Sequence, residues 1–290
     1  VLKFARVKGQ NAMRRNPLQT SVHKTDLDMQ ELLNALEMIA PLELAEEWDN
    51  VGLLLEPLEP GSRKPVTNPR HVFFTIDLTE EVFQEALDAG ADVIIAYHPP
   101  LFMPIKRLTL DDPKTNIIIS ALANGIAIYS PHTALDCVKG GVNDWLADGL
   151  GDGERRALGE REDGQGPGRL VSLNTPTLYS ELVARVKGHL GLERLRCAPA
   201  GKDPMITSVA LCAGAGSSVI SSIEADLYLT GEMRHHDVLA ANAAGRSVIL
   251  CEHTNTERGY LSVLSQRLEA LLPTLRYTIS RIDADPLQSV

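Results

Sequence analysis

The feature that most limits what this chain can become is a repeated alternation of short apolar runs with amphipathic helical stretches. His71-Val-Phe-Phe-Thr-Ile76 is apolar through its middle without period-two alternation, the mark of a strand covered on both faces. Asp77 ends the run. Thr79 then caps a helix carrying Val82, Phe83, Ala86 and Leu87 on one face, and Gly90 stops it. Asp92-Val-Ile-Ile-Ala96 repeats the strand signal, a helix around 115–123 ends at Asn124-Gly125, and Ile126-Ala-Ile-Tyr129 gives a third strand. Ahead of them, Leu32, Leu33, Leu36 and Ile39 recur at helical spacing over 28–40, with Pro41 closing the stripe. Units of this kind predict a largely parallel sheet between helix layers.

The same rhythm resumes later, with strands predicted at 170–174, 206–212, 226–229 and 247–251 and helices near 177–187, 217–224, 236–244 and 256–271. The expected fold is α/β, with two related three-layer α/β/α lobes at 26–150 and 170–290 and mainly parallel or mixed sheets. The final helix is placed to return onto the first lobe. Residues 151–169 hold six glycines and one proline among mixed charges and read as a flexible linker. Residues 1–25 carry Lys3, Arg6, Lys8, Arg14, Arg15 and Lys24 and no acid, which reads either as a transit peptide or as a disordered start.

Charge narrows the function. A formal net charge of -10 argues against a nucleic-acid clamp, which needs a basic surface. It leaves small substrates, cations and protein partners. No apolar run reaches the ~20 residues of a membrane span. The four cysteines lie far apart without C-x-x-C spacing, as expected in a reducing compartment and not in a cysteine zinc site. Cytoplasm and mitochondrion both fit.

The chemistry gathers at predicted strand ends, where open α/β sheets bind ligands. Five of the eight histidines fall there: His98, His132, His235, His236 and His253. His132 and Asp136, and likewise His253 and Glu257, stand four residues apart and share a face if each segment makes one helical turn. Imidazole with carboxylate suits zinc, manganese or iron better than calcium. Three other strings are ambiguous. Ala213-Gly214-Ala215-Gly216-Ser217-Ser218 is either a phosphate-cradling turn or a plain tight turn. Trp48-Asp49-Asn50-Val51-Gly52 reads as a turn anchored by a buried tryptophan, with a loop closing over the site as the alternative. His235-His236 reads more readily as the polar first turn of a helix than as a ligand pair.

Five motifs in order then bring a family into view: Glu47-Trp48-Asp49-Asn50-Val51-Gly52; Tyr97-His98-Pro99-Pro100; Ser130-Pro131-His132-Thr133 with Asp136; Leu229-Thr230-Gly231-Glu232 with His235-His236-Asp237; and Glu252-His253 with Thr256-Glu257-Arg258-Gly259. Together they resemble the Nif-three-like family, the NGG-interacting-factor homologues also called GTP cyclohydrolase type-two-like proteins, in its eukaryotic branch without the inserted domain. The resemblance covers roughly 28–290. It implies two related α/β lobes assembled into a toroidal homohexamer, with two divalent metal ions per subunit, and matches His98, Asp136, His253 and Glu257 to the metal ligands. Tyr97 stands where many bacterial members carry a second histidine. A phenol is a poorer ligand than imidazole, so the second metal would be weak, absent or held with help from His132.

The resulting expectation is a metal-dependent hydrolase acting on a nucleotide or pterin-like heterocycle through a dinuclear site. Glu257 would bridge the ions, and Glu232 or His236 would serve as general acid or base. The alternative is a protein-interaction scaffold or transcriptional co-regulator whose metal is structural.

Overall fold

The computed structural model describes residues 27–59, 61–159 and 164–287; the basic leader at 1–25 lies outside them. The first half runs α1 (Met29–Ile39), β1 (Gly52–Leu55), β2 (His71–Thr75), α2 (Glu80–Ala89), β3 (Val93–Ala96), α3 (Pro113–Asn124), β4 (Ala127–Ser130), α4 (His132–Cys137) and α5 (Val142–Asp148). The second runs β5 (Gly153–Leu158), β6 (Gly168–Leu178), α6 (Tyr179–Leu190), β7 (Arg196–Ala198), β8 (Met205–Cys212), α7 (Ser217–Ile220), β9 (Leu227–Thr230), α8 (His235–Ala243), β10 (Ser247–Leu250), α9 (Tyr260–Leu271) and β11 (Arg276–Ile279).

Local chemistry sets the boundaries. Asp28 and Glu31 form a reciprocal capping box at the start of α1. Thr79 caps α2 through its side chain, and Gly90 ends that helix in the left-handed conformation that a side chain disfavours.

The strands form two sheets, in the orders β1-β4-β3-β2-β11 and β5-β6-β8-β9-β10-β7. In the first, β4, β3, β2 and β11 are parallel and β1 runs antiparallel at the edge. In the second, β8, β9 and β10 are parallel, β6 and β7 run antiparallel to them, and β5 pairs antiparallel with β6. The fold is therefore α/β, two mixed-sheet lobes of α/β/α character. The outer face of the first sheet packs on α2 and α3 through Phe73, Ile94, Ile117 and Ile118. The outer face of the second packs on α8 through Tyr228, Val248 and Ala241.

Two expectations need correction. The 151–169 stretch is not a linker throughout: Gly153–Leu158 is β5, paired residue for residue with β6 from Gly168 to Leu173. Its glycines fit that pairing, since a Cβ on Gly153 would meet the Ser172 carbonyl oxygen at 2.5 Å. Nor does the second lobe keep the C-terminus. Strand β11 pairs with β2 and completes the first sheet, while α9 packs on α1 as expected of the final helix. The inner faces of both sheets, with α1, α4, α5, α6 and α9, share one apolar core. This geometry brings the carboxyl ends of parallel strands from both sheets to one crevice. Among the described residues, no helix is long and apolar enough to cross a membrane.

Candidate metal centre

Each sheet contributes residues just beyond its parallel strands: Asp77 after β2, His98 after β3 and His132 after β4, facing Gly214 after β8, Glu232 after β9 and His253 after β10. Three of the side chains from these strand ends and the turn behind them come together. One ligand atom each from His98, His253 and Glu257 lie within 4.8 Å of one another. The Nε2 of His98 is 3.4 Å from Glu257 Oε2, and the Nε2 of His253 is 3.4 Å from Glu257 Oε1. Ligands about 2.0–2.1 Å from a tetrahedral zinc ion lie about 3.3–3.4 Å apart, so both separations suit a shared metal.

The surroundings favour the same reading. Glu257 is 3% exposed, and its Oε2 is buried without a hydrogen-bond partner, a costly state unless a cation completes it. The other ring nitrogens face carboxylates: His98 Nδ1 is 2.9 Å from Asp77 Oδ1, and His253 Nδ1 is 3.3 Å from Glu232 Oε1. Such partners orient a ligating imidazole so that Nε2 meets the metal. Burial alone would lower the pKa of His98, but the carboxylates of Asp77 and Glu257 outweigh it and push the ring up to about 10. A metal held by His98 Nε2 would have to displace any proton on that nitrogen. Gly214, at φ +61°, leaves the room: a Cβ there would sit 2.6 Å from Glu257 Oε1 and 2.9 Å from His253 Nε2.

Beside the triad, His132 Nδ1 donates to Asp49 Oδ1 at 2.7 Å, and Asp49 Oδ2 also accepts from the Thr133 amide and hydroxyl. Burial pushes the Asp49 carboxyl up, but the bonds to His132 and Thr133 win and hold it below the usual carboxylate range. An ionised Asp49 accepts the hydrogen bond from Nδ1 and so fixes the orientation of the His132 ring. The His98 and His132 rings lie 5.4 Å apart, centroid to centroid. His132 takes φ +27° and Glu252 takes φ +63°, two side-chain-bearing residues held in a strained region on either side of the centre.

Several expected site residues are placed differently. Tyr97 is turned to Asp136: buried, with its pKa raised well above the usual phenol value by that burial and by nearby Asp136, it donates its hydroxyl to Asp136 Oδ1 at 2.5 Å. Asp136 spends an oxygen on that bond and lies outside the triad; burial, opposed by the Tyr97 bond, pushes its carboxyl up to about 7. Glu232 faces the outer nitrogen of His253, which makes it an orienting partner. His236 is not brought to the centre. Helix α8 begins at His235, so its first turn exposes both rings, and His236 packs edge-on against His235. The tryptophan reading also fails: Trp48 is 62% exposed, with its ring 6.1 Å from that of His132. Nor is the 213–218 turn an open phosphate cradle. The Gly214 amide donates to Thr256 Oγ1 and the Gly216 amide to Thr230 Oγ1.

Asp77, Asp49 and Gly214 are the residues that sequence reasoning missed. Asp77 follows a strand as His98 does, and a search of strand ends for acids as well as histidines finds it. Asp49 acts across 83 positions of chain, and no local spacing signals that.

The fold and site define an α/β protein with a two-histidine, one-glutamate centre capable of holding a metal. Residues 27–286 match the Duf34/NIF3 (NGG1p interacting factor 3) family, and the chain belongs to it. It is 43% identical over 275 residues to the protein NIF3 homolog of Schizosaccharomyces pombe, covering 90% of this chain and 97% of that protein. With human NIF3-like protein 1 it shares 36% over 356 residues, covering 91% and 93%. A solved Bacillus cereus protein related to NIF3 has the same fold, with TM-score 0.78 and 23% identity over 91% of this chain and all of that one.

Proposed function

We propose that this protein is a metal-dependent hydrolase acting on a nucleotide or pterin-like heterocycle. The observation that carries the reading is the cluster of His98, His253 and buried Glu257, whose Oε2 lacks a hydrogen-bond donor and whose two imidazoles turn their outer nitrogens to carboxylates. His98, His253 and Glu257 would hold the metal, which when bound lowers the pKa of water and polarises the bond under attack. Glu257 turns one oxygen toward each imidazole, which would let it serve a second ion as well as the first. A second ion would draw on His132 Nε2 and on Asp136 released from Tyr97.

The chain's own groups do the rest. Asp49 holds the His132 ring through Nδ1, and where Nε2 holds no second ion it would take the proton from the attacking water. Asp77 and Glu232 fix the two ligating rings. In keeping with the family resemblance, the working form is a closed homo-oligomer.

The test is a panel of nucleotides and pterins assayed with the purified protein before chelation, after it, and after reloading with zinc, manganese or iron. Turnover of a panel member should vanish on chelation and return with one metal. Absence of metal-dependent turnover across the panel contradicts the hydrolase reading and returns the protein to the interaction-scaffold alternative.

A further inference from the structure

The string Trp48-Asp49-Asn50 builds a second element beside the metal centre. Asp49 fixes His132, and the Asn50 amide donates to the Leu101 carbonyl, tying down the loop that carries Phe102. Trp48 itself is left outside. Its ring, that of Phe102 and that of His132 form a corner, with centroids 6.1 Å (Trp48–Phe102), 6.1 Å (Trp48–His132) and 6.4 Å (Phe102–His132) apart and planes at 71°, 79° and 86°. Trp48 is 62% and Phe102 43% exposed, so two large aromatic surfaces stay wet although their backbone anchors are fixed. Two exposed aromatic faces on fixed anchors beside the metal centre are a surface suited to a flat ligand. The corner leads inward, since His132 is 5.4 Å from His98 and His98 is 5.3 Å from His253.

Phe102 also lines a cavity of about 420 Å³ whose walls carry Lys106, Arg107 and Lys114, with Asp112 as the acid among them. In a chain of net charge -10, three cations around one cavity are a local reversal of sign.

We infer that Trp48 and Phe102 stack the planar ring of a nucleotide at the mouth of the metal centre, while the cavity beyond Phe102 receives its phosphate. The inference rests on the hydrolase reading only for calling that ligand a substrate. Stacking on an aromatic face tolerates any base, so these residues select for a flat heterocycle without choosing among bases. Lys106, Arg107 and Lys114 favour the phosphorylated form over the nucleoside.

The test is the dissociation constant of zinc-loaded protein for GMP, guanosine and ribose 5-phosphate by calorimetry, in wild type, Trp48→Phe, Trp48→Leu and Phe102→Leu. Zinc content and melting temperature are measured on each. GMP should bind more tightly than guanosine, and ribose 5-phosphate should bind most weakly. Trp48→Leu and Phe102→Leu should weaken GMP about tenfold or more with zinc content unchanged, and Trp48→Phe should keep most of the affinity. Unchanged GMP affinity in Trp48→Leu, ribose 5-phosphate binding as tightly as GMP, or no binding of GMP overturns the ring site. Guanosine binding as tightly as GMP overturns the phosphate cavity. Stacking-dependent binding without turnover leaves this inference standing and counts only against the hydrolase.

Discussion

At the residue scale the centre depends on what is missing as much as on what is present. Gly214 stands where any side chain would collide with Glu257 Oε1 and His253 Nε2, and its φ of +61° adds strain to a replacement. Gly214→Ala should weaken zinc binding about 10- to 100-fold, as when a metal's supporting residues are lost. It should cost about 1–2 kcal/mol of stability. Competition with a chromophoric chelator and thermal unfolding measure the two effects; zinc affinity equal to wild type contradicts the proposed position of the metal. His98 and His253 stand out in the sequence because they follow apolar runs and Glu257 because it lies four residues after His253, while the family resemblance supplies their role as ligands. That rule also drew in His236, because strand-end position does not reveal which way the first turn of a helix points. Tyr97 shows a different limit. Position made it a replaced ligand, whereas its hydroxyl is committed to Asp136 by a contact 39 residues away.

At the scale of elements, the hairpin β5–β6 is locked to α5 by a buried arginine. Arg169 donates to both oxygens of Asp144, at 2.9 and 3.0 Å, and also to the carbonyls of Val138, Gly166 and Gly168. Burial would raise the Asp144 carboxyl, but Arg169 outweighs it and holds it below its ordinary value. A carboxylate whose folded pKa is depressed contributes its stability above the unfolded value near 3.8 and loses it as pH falls through the folded one. Asp144→Asn should therefore cost about 3 kcal/mol near neutrality by leaving Arg169 unpaired, and it should flatten the acid limb of stability against pH. Urea unfolding from pH 7 to pH 2.5 checks both, and a variant with the wild-type acid limb contradicts the assignment. The central strands and α2 were legible because burial on both faces gives unbroken apolar runs and because Thr79 and Gly90 punctuate the helix. Strand β5 was not. Glu154, Arg155 and Arg156 are exposed on a sheet edge, so composition points to a loop while the partner strand imposes pairing. Strand β11 hides likewise as a four-residue edge.

For the whole molecule, the C-terminal segment joins the two halves of the crevice. After β11 the chain crosses to Asp283, which accepts from the Ile76 amide at 2.7 Å and pairs with Arg258. Ile76 precedes Asp77, and Arg258 follows Glu257, so one buried carboxylate connects a strand end of the first sheet to the metal-ligating turn of the second. Thr254 donates to Asp285 Oδ2 at 2.9 Å, a second tie in the same place. Asp283→Ala should cost about 3–5 kcal/mol as a broken buried pair. It should also weaken zinc about tenfold although it touches no ligand. Thermal unfolding with and without zinc separates the two effects, and loss of stability with full zinc affinity contradicts the coupling. Sequence periodicity showed two lobes but not that the second one's last strand belongs to the first sheet, since long-range pairing leaves no local signature.

The most direct test of the metal centre is the zinc content per chain, by elemental analysis, of wild type and Glu257→Gln after chelation, reloading and gel filtration. Gln keeps the shape of Glu257 and removes its charge. At least one ion per wild-type chain and little in Glu257→Gln, with both proteins folded, is the predicted result. Equal zinc in the two proteins, or none in the wild type, contradicts a metal centre built on His98, His253 and Glu257.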